Sequence, residues 1–373
     1  MPCILCKRNL HNKIFHLSNM PSLVQNMPRS ENLDKDKPID LDLYQCDGCG
    51  LVQFSCAPVY YYKDVIRAVG LSDTMKKLRI SQYQELYDRY NLLGKKIWEV
   101  GCGGGEFLQL WKGFDVDIYG IENNDNLVRE SCKKGLKVSC GFVDADYRDP
   151  DGPFDVFVSF NYLEHQPDPS GMVSGIYNNL TDEGIGLVTV PSFEYFIEKA
   201  SYYEFMRDHI AYYTEEALTN LFQLNGFRVL SISRFNGDTT QIIVRKRKKI
   251  ALPDFDGQKM NIERELNTFV KSHKDIRNIA VWGASHQALT LLATLKREFD
   301  INYIIDSSPK KTDCYSPVSH IQIKLPDIIT SDAPELIIIM APAFSTEITK
   351  QIRSLTNKVK YILAIKDDKI LYM

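Results

Sequence analysis

Short apolar runs alternate with amphipathic ones over most of the chain. Ile97-Trp98-Glu99-Val100, Asp117 to Glu122 and Phe154 to Ser159 read as buried strands, and Gly186 to Val190 supplies another. Between them, Glu106 to Trp111 reads as the start of a helix and Asp125 to Lys134 as a further helix. The more polar stretch from Ser72 to Asn91 carries Met75, Leu78, Tyr83 and Leu86 at approximately helical spacing, which predicts an amphipathic helix. A helix predicted over Glu215 to Leu224 precedes the runs Phe227 to Ser233 and Thr240 to Val244. Asn236-Gly237-Asp238 between those runs is a hairpin signal. A second alternating series follows, with strands near Ile279 to Trp282, Tyr303 to Asp306, Leu336 to Met340 and Tyr361 to Ala364.

Strands that alternate with helices predict a doubly wound α/β sheet. Closure of such a sheet by an antiparallel hairpin is what the class I methyltransferase fold requires. The run Arg245-Lys246-Arg247-Lys248-Lys249, with Pro253 and Gly257 beyond it, reads as a solvated strand exit and linker. The expected organisation is a four-cysteine module over residues 1–70, a methyltransferase-type domain over 71–250, and a second, Rossmann-like α/β domain over 251–373.

Composition narrows the partners. The 373 residues divide, at roughly 150 per domain, into two or three domains. Lysine plus arginine number 45 against 48 acids, a net charge of -3, so no broad phosphate-tracking surface and no nucleic-acid partner are expected. Met1 to Arg8 lacks the apolar region of a secretion signal, and the longest apolar stretch, near Leu336 to Phe344, is too short to span a bilayer. A cytoplasmic protein without a membrane partner is expected. In such a chain, nine cysteines are thiols or metal ligands rather than a disulfide framework.

Cys3-x-x-Cys6 and Cys46-x-x-Cys49 each sit beside turn-forming residues, with Gly48 inside the second pair and Gly50 after it. Short loops of this kind bring both sulfurs to one tetrahedral ion, so Cys3, Cys6, Cys46 and Cys49 are expected to hold a structural Zn2+ with no open coordination position. His11 and His16 could replace one sulfur, but a surface or packing role is expected for both. Glu99-Val100-Gly101-Cys102-Gly103-Gly104-Gly105 directly follows a strand, and Glu122 ends the next one. Gly101, Gly103 and Gly105 let the main chain approach a nucleotide-like ligand, while Glu122 is suited to accept both ribose hydroxyls. A dinucleotide fingerprint needs a small residue where Glu106 stands, so S-adenosylmethionine fits better than NAD. Glu99 suits its ammonium group, Asp144 or Asp146 its adenine, and Asn161, past the next strand, belongs to the same crevice. His165, in Leu163-Glu164-His165, follows that strand end and is a candidate general base. In the carboxy-terminal series, Gly283-Ala284-Ser285-His286 followed by Asp306 reads as the wall of a substrate cleft, a structural turn or a second nucleotide site.

The whole pattern resembles the bacterial sugar C-methyltransferases, which methylate a nucleotide-linked keto-deoxysugar. The resemblance rests on Cys46-Asp47-Gly48-Cys49-Gly50-Leu51-Val52-Gln53, Arg207-Asp208-His209-Ile210-Ala211-Tyr212-Tyr213, Trp282-Gly283-Ala284-Ser285, Asp306-Ser307-Ser308-Pro309-Lys310 and Pro317-Val318-Ser319-His320-Ile321. It implies that a base removes a proton beside the ketone and that the enolate attacks the sulfonium methyl group. The family carries Tyr-His-Glu-His where this chain has Met206-Arg207-Asp208-His209. A thioether cannot take a proton, so His209, assisted by Asp208, or His165 must serve if enolisation is the chemistry. Tyr202, Tyr203 and Tyr212 are the phenols of the same segment. The family's Asn-Asp also gives way to Gly103-Gly104, and its Gly-Gly-Ser hairpin to Gly237-Asp238-Thr239. Sugar O-methylation, which needs only a base at a hydroxyl, is the alternative enzyme. A non-catalytic ligand-binding protein on the same scaffold is the alternative of another class, and an RNA methyltransferase is disfavoured by the charge balance.

Overall fold

A computed structural model describes residues 1–25, 27–64, 71–366 and 369–373. The chain divides into two compact units, Met1–Lys249 and Ile250–Met373, so the division falls at the end of the basic run. Three short strands open the first unit: β1 (Asn12–Met20), β2 (Ile39–Gln45) and β3 (Val52–Phe54). The helix α1 (Asp73–Tyr90) follows, and both its ends are capped: the Ser72 hydroxyl accepts from the Met75 N–H, and Asn91 turns left-handed at φ 50°. Then come β4 (Lys96–Val100), β5 (Asp117–Glu122), α2 (Asp125–Lys133), β6 (Lys137–Cys140), β7 (Phe154–Phe160), α3 (Pro169–Asn178), β8 (Leu180–Pro191), α4 (Phe193–Lys199), β9 (Ala211–Tyr212), α5 (Glu215–Leu224), β10 (Phe227–Arg234) and β11 (Thr239–Lys246).

These strands make two sheets. The large one has the order β10-β11-β8-β7-β4-β5-β6, parallel except for β11, which runs antiparallel to both β10 and β8. This is the doubly wound class I methyltransferase sheet with its hairpin edge. The small sheet, β1-β2-β3-β9, takes its last strand from far along the chain. The two parts also share an apolar cluster in which Leu5, Leu10 and Leu51 join Trp98, Phe154 and Phe157. The segment read as a separate amino-terminal module and the segment from residue 71 therefore occur in one compact unit. Residues 65–70, at the end of that module, lie outside the described residues.

One element differs from expectation. Glu106 to Trp111 does not start an α-helix; the chain makes a 3-10 stretch over Leu108–Gly113. Gly113 ends it before a regular i to i−4 ladder is established, and Trp111 is fully buried, stacked on Tyr83 with ring centroids 3.9 Å apart.

The second unit contains α6 (Phe255–Ser272), β12 (Ile279–Trp282), α7 (His286–Thr294), β13 (Tyr303–Ile305), β14 (Ile323–Lys324), α8 (Ile328–Ser331), β15 (Leu336–Ile339), α9 (Ser345–Leu355), β16 (Tyr361–Lys366) and β17 (Lys369–Tyr372). Its sheet order is β14-β13-β12-β15-β16-β17, parallel apart from the last strand. Strands with near-continuous Ile and Leu, such as Leu336–Ile339, are buried on both faces, as a parallel sheet covered by helices requires. Among the described residues no helix is long and apolar enough to cross a membrane.

Candidate active site and metal centre

In the large sheet β4 lies between β5 and β7, the position where strand order reverses and a ligand crevice opens beyond the strand ends. The turn after β4 has Gly101, Gly103 and Gly105 at φ 75°, 54° and 76°. A Cβ on Gly101 would stand 2.8 Å from the Tyr162 ring, and one on Gly105 would stand 2.4 Å from Leu136. Only glycine fits at these two positions, so the turn packs closely on Tyr162 and Leu136. Glu99 is buried under this turn. Glu122, at the end of β5, accepts the Gly103 N–H and the Asn124 N–H, both at 2.9 Å. Burial pushes its carboxyl above the usual glutamate range, against the pull of those N–H groups. A buried carboxylate beside a glycine turn fits a ligand that brings hydroxyl donors.

The remaining cofactor-side residues are less uniform. Asp144 is exposed, and its carboxylate accepts the Asp146 N–H at 3.0 Å, so the two aspartates form one turn. Asn161, left-handed at φ 49°, is tied to β8 by the Thr189 hydroxyl at 2.8 Å. Sequence reasoning missed the contribution of the amino-terminal segment: Asp64 accepts from the Asn123 side chain at 2.7 Å, and Tyr62 meets Phe142 edge-on at 5.9 Å. No motif signals these contacts, which join residues far apart in the chain.

His165 and His209 come together with ring centroids 4.7 Å apart. His165 Nδ1 donates to the Asp208 backbone carbonyl at 2.8 Å. Glu164, which sequence reasoning passed over, is buried with Oε1 4.0 Å from His165 Nε2. Burial pushes the Glu164 carboxyl up to about 8 and draws His165 down to about 4. Burial, with His165 nearby, holds His209 well below the usual histidine value. Both imidazoles are therefore neutral at pH 7.

The expected help from Asp208 to His209 takes another form. Asp208 Oδ1 accepts the Val24 N–H at 3.2 Å and Oδ2 accepts the Tyr61 hydroxyl at 2.7 Å, while the buried His209 Nδ1 has no hydrogen-bond partner among the described residues. Asp208 thus anchors the segment through its side chain and orients His165 through its backbone. Of the tyrosines, Tyr202 and Tyr203 are exposed, whereas the buried Tyr212 hydroxyl accepts the Met206 N–H at 2.9 Å and donates back to the Met206 carbonyl. Tyr212 braces the turn that presents His209. A separate apolar cavity of about 460 Å3, lined by Phe15, Leu43, Val52, Phe193, Phe196 and Phe205, includes neither the glycine turn nor the histidines.

All four expected metal ligands converge. The sulfurs of Cys3, Cys6, Cys46 and Cys49 lie within 4.8 Å of one another, with Cys3 to Cys49 at 3.6 Å and Cys6 to Cys46 at 3.4 Å. Zinc–sulfur bonds of about 2.3 Å need tetrahedral sulfurs close to this separation, so the cluster fits one ion. The two loops have the same backbone device. The Lys7 N–H bonds the Cys3 carbonyl and the Gly50 N–H the Cys46 carbonyl, with Lys7 and Gly50 both left-handed. His16 instead pairs with Asp42 at 2.7 Å, and His11 is exposed outside the cluster.

In the carboxy-terminal unit the turn after β12 has Gly283 at φ 110°. The Asp306 carboxylate accepts the Ala284 N–H at 2.8 Å, the Ser308 N–H at 2.9 Å and the Lys311 ammonium at 2.9 Å. Its acceptor positions are taken up by its own unit.

The fold and the glycine turn define a class I methyltransferase domain. Residues 75–232 match the family described as a methyltransferase domain, and residues 247–365 match the C-methyltransferase C-terminal domain. The chain therefore carries a methyltransferase domain of the S-adenosylmethionine-dependent class, followed by a C-methyltransferase carboxy-terminal domain. Phosphoethanolamine N-methyltransferase 3 of Arabidopsis thaliana is 33% identical over 125 residues, covering 29% of this chain and 25% of that protein. A ubiquinone biosynthesis O-methyltransferase of Thiobacillus denitrificans is 34% identical over 92 residues, covering 23% of this chain and 40% of its own length. The chain thus spans well under two thirds of the curated relatives it matches. Among solved structures, an S-adenosylmethionine-dependent methyltransferase from Clostridium acetobutylicum aligns at 14% identity and a TM-score of 0.40, over 51% of this chain and 97% of its own.

Proposed function

We propose that this chain is a cytoplasmic enzyme that transfers the methyl group of S-adenosylmethionine to a carbon of a nucleotide-linked keto-deoxysugar. The observation that carries the reading is the C-methyltransferase carboxy-terminal match over residues 247–365, in one chain with a methyltransferase domain. Bound at the glycine turn, the cofactor supplies an electrophilic methyl group on a sulfonium. Gly101, Gly103 and Gly105 admit it against the backbone, Glu122 accepts its ribose hydroxyls, and Glu99 balances its ammonium group. Asp144 and Asn161 complete the assigned set.

On the acceptor side, His209 takes the proton beside the ketone. Its depressed pKa keeps the ring neutral, and its Nδ1 has no hydrogen-bond partner among the described residues. His165, oriented by the Asp208 carbonyl, supports that ring, and Glu164, protonated at neutral pH, adds no negative charge beside the forming enolate. The second α/β unit is assigned to substrate recognition. Met206, in place of a phenol, supports a second reading, O-methylation of a sugar hydroxyl, because such a reaction needs no enolate. Incubation with isotope-labelled S-adenosylmethionine and a panel of nucleotide-linked keto-sugars tests both. A new carbon-bound methyl signal is expected, an oxygen-bound one replaces this reading with the second, and no transfer to any sugar removes both.

The cysteine cluster is assigned one structural zinc. Removal by chelation is expected to loosen the small sheet, since metal binding and folding are coupled. Metal analysis of a Cys46→Ser, Cys49→Ser double variant checks it: unchanged zinc content rules the assignment out.

A further inference from the structure

The ligand atoms of Glu164, His165 and His209 also lie within 4.8 Å of one another, apart from the cysteine cluster. Two observations separate this group from ordinary packed polar residues. The Asp208 carbonyl can only accept, so its 2.8 Å bond puts the hydrogen of His165 on Nδ1 and leaves a lone pair on Nε2, which faces Glu164 Oε1 at 4.0 Å. Metal-ligating histidines are oriented in this way, by a carbonyl or carboxylate on the ring nitrogen away from the ion. In addition, Glu164 Oε2 and His209 Nδ1 are buried with no hydrogen-bond partner among the described residues. Buried polar atoms are nearly always paired, and a single cation among the three side chains would satisfy both orphans together with the free His165 nitrogen.

We propose that Glu164, His165 and His209 form a second metal site, for a divalent transition ion bound by two imidazoles and one carboxylate. This donor set suits zinc, iron, cobalt or nickel rather than magnesium or calcium, which prefer all-oxygen shells. Three protein ligands leave at least one coordination position for water or an acceptor oxygen, in contrast to the closed four-sulfur cluster. Bonds of about 2.0–2.1 Å require the 4.0 Å separation of Glu164 and His165 to shorten by several tenths of an ångström, which side-chain rotation can provide. Two further groups brace the site from outside: the Val24 N–H and the Tyr61 hydroxyl hold the Asp208 carboxylate, and through it the residue whose carbonyl orients His165. The site does not rest on the methyl-transfer reading, and where it holds an ion it is an alternative to the base role of His209, because His209 Nδ1 can hold a proton or a metal ion but not both at once.

Cobalt(II) titration of the full-length protein carrying one zinc per chain, any further zinc first being removed by mild chelation, is the test, read by metal content after desalting and by visible absorption. One cobalt per chain beyond the zinc is expected, with nitrogen/oxygen-type bands and no thiolate-to-cobalt charge transfer. Glu164→Gln, nearly isosteric, and His209→Gln are each expected to weaken cobalt binding at least tenfold, with thermal melting used to verify that both variants are folded. No cobalt beyond the zinc, cobalt with thiolate bands only, or equal affinity in both folded variants overturns the proposal. Methyl transfer is not the readout, so an inactive protein that binds cobalt at these residues upholds the site, and an active protein that does not bind it refutes the site alone.

Discussion

The two α/β units contain the same local device, a glycine-marked turn after one strand and an acid near the end of its parallel neighbour, yet the two acids are in opposite states. Glu122 and Asp306 each accept an N–H from the turn, that of Gly103 at 2.9 Å and that of Ala284 at 2.8 Å. Burial raises both carboxyls, but Lys311 and two backbone N–H groups outweigh it at Asp306, whose net shift is downward. At Glu122 burial wins and the net shift is upward. The first unit also opens its turn with three left-handed glycines where the second has one. A shared strand–turn–helix plan therefore does not make a shared function. The acid with no neighbouring cation among the described residues, beside the glycine turn, is the one suited to a ligand, and the acid neutralised by its own loop is structural.

The sharpest way to break this comparison is at the histidines. His209→Ala is expected to lower turnover by about 10²–10⁴-fold with cofactor affinity unchanged, as for loss of a general base. His286→Ala, at the exposed turn of the second unit, should leave both intact. Steady-state kinetics with calorimetric titration decides, and equal losses in the two variants would refute the assignment of chemistry to the first unit. Next in size, Glu122→Ala should weaken S-adenosylmethionine binding by about 1–3 kcal/mol, the range for hydrogen bonds involving a charged group. Asp306→Ala should leave that affinity unchanged and destabilise the second unit, as differential scanning calorimetry would register.

Gly101→Ala combines a left-handed backbone at φ 75° with a Cβ 2.8 Å from the Tyr162 ring. A cost of about 1–3 kcal/mol in stability is expected, with weakened cofactor binding. At Gly283 the nearest atom to an added Cβ is 3.6 Å away, so Gly283→Ala has only the backbone strain of φ 110° and should spare the cofactor. Denaturant melts and titration of both variants would show whether the two turns separate in this way. The smallest effect is on pH. Because the Glu122 pKa is raised, acidification should erode cofactor affinity from above the ordinary glutamate value of 4.5, and Glu122→Gln should flatten that dependence. Asp306, with its pKa lowered, contributes stability that is present above 3.8 and lost only as pH falls through its depressed value.

The sequence by itself determined the features whose causes are local. Alternating apolar runs, the helical stretch bounded by Ser72 and Asn91, and the glycine turn after β4 all act within a few residues, so their positions were legible. The two Cys-x-x-Cys pairs were legible as knuckles for the same reason, since each turn is closed by a hydrogen bond within its own few residues. Tertiary structure decided the rest. Glu106 to Trp111 carries a helical pattern, but stacking of Trp111 on Tyr83 and the stop at Gly113 leave only a 3-10 stretch. β9 pairs with β3 across most of the first unit, and Tyr61 and Val24 reach Asp208 over a similar span. These contacts take Asp208 away from His209, set the tautomer of His165 and enclose Glu164 beside both rings. No spacing rule encodes such an arrangement, because the hydrogen bonds and burial that set each group's protonation come from neighbours that only the folded chain brings together.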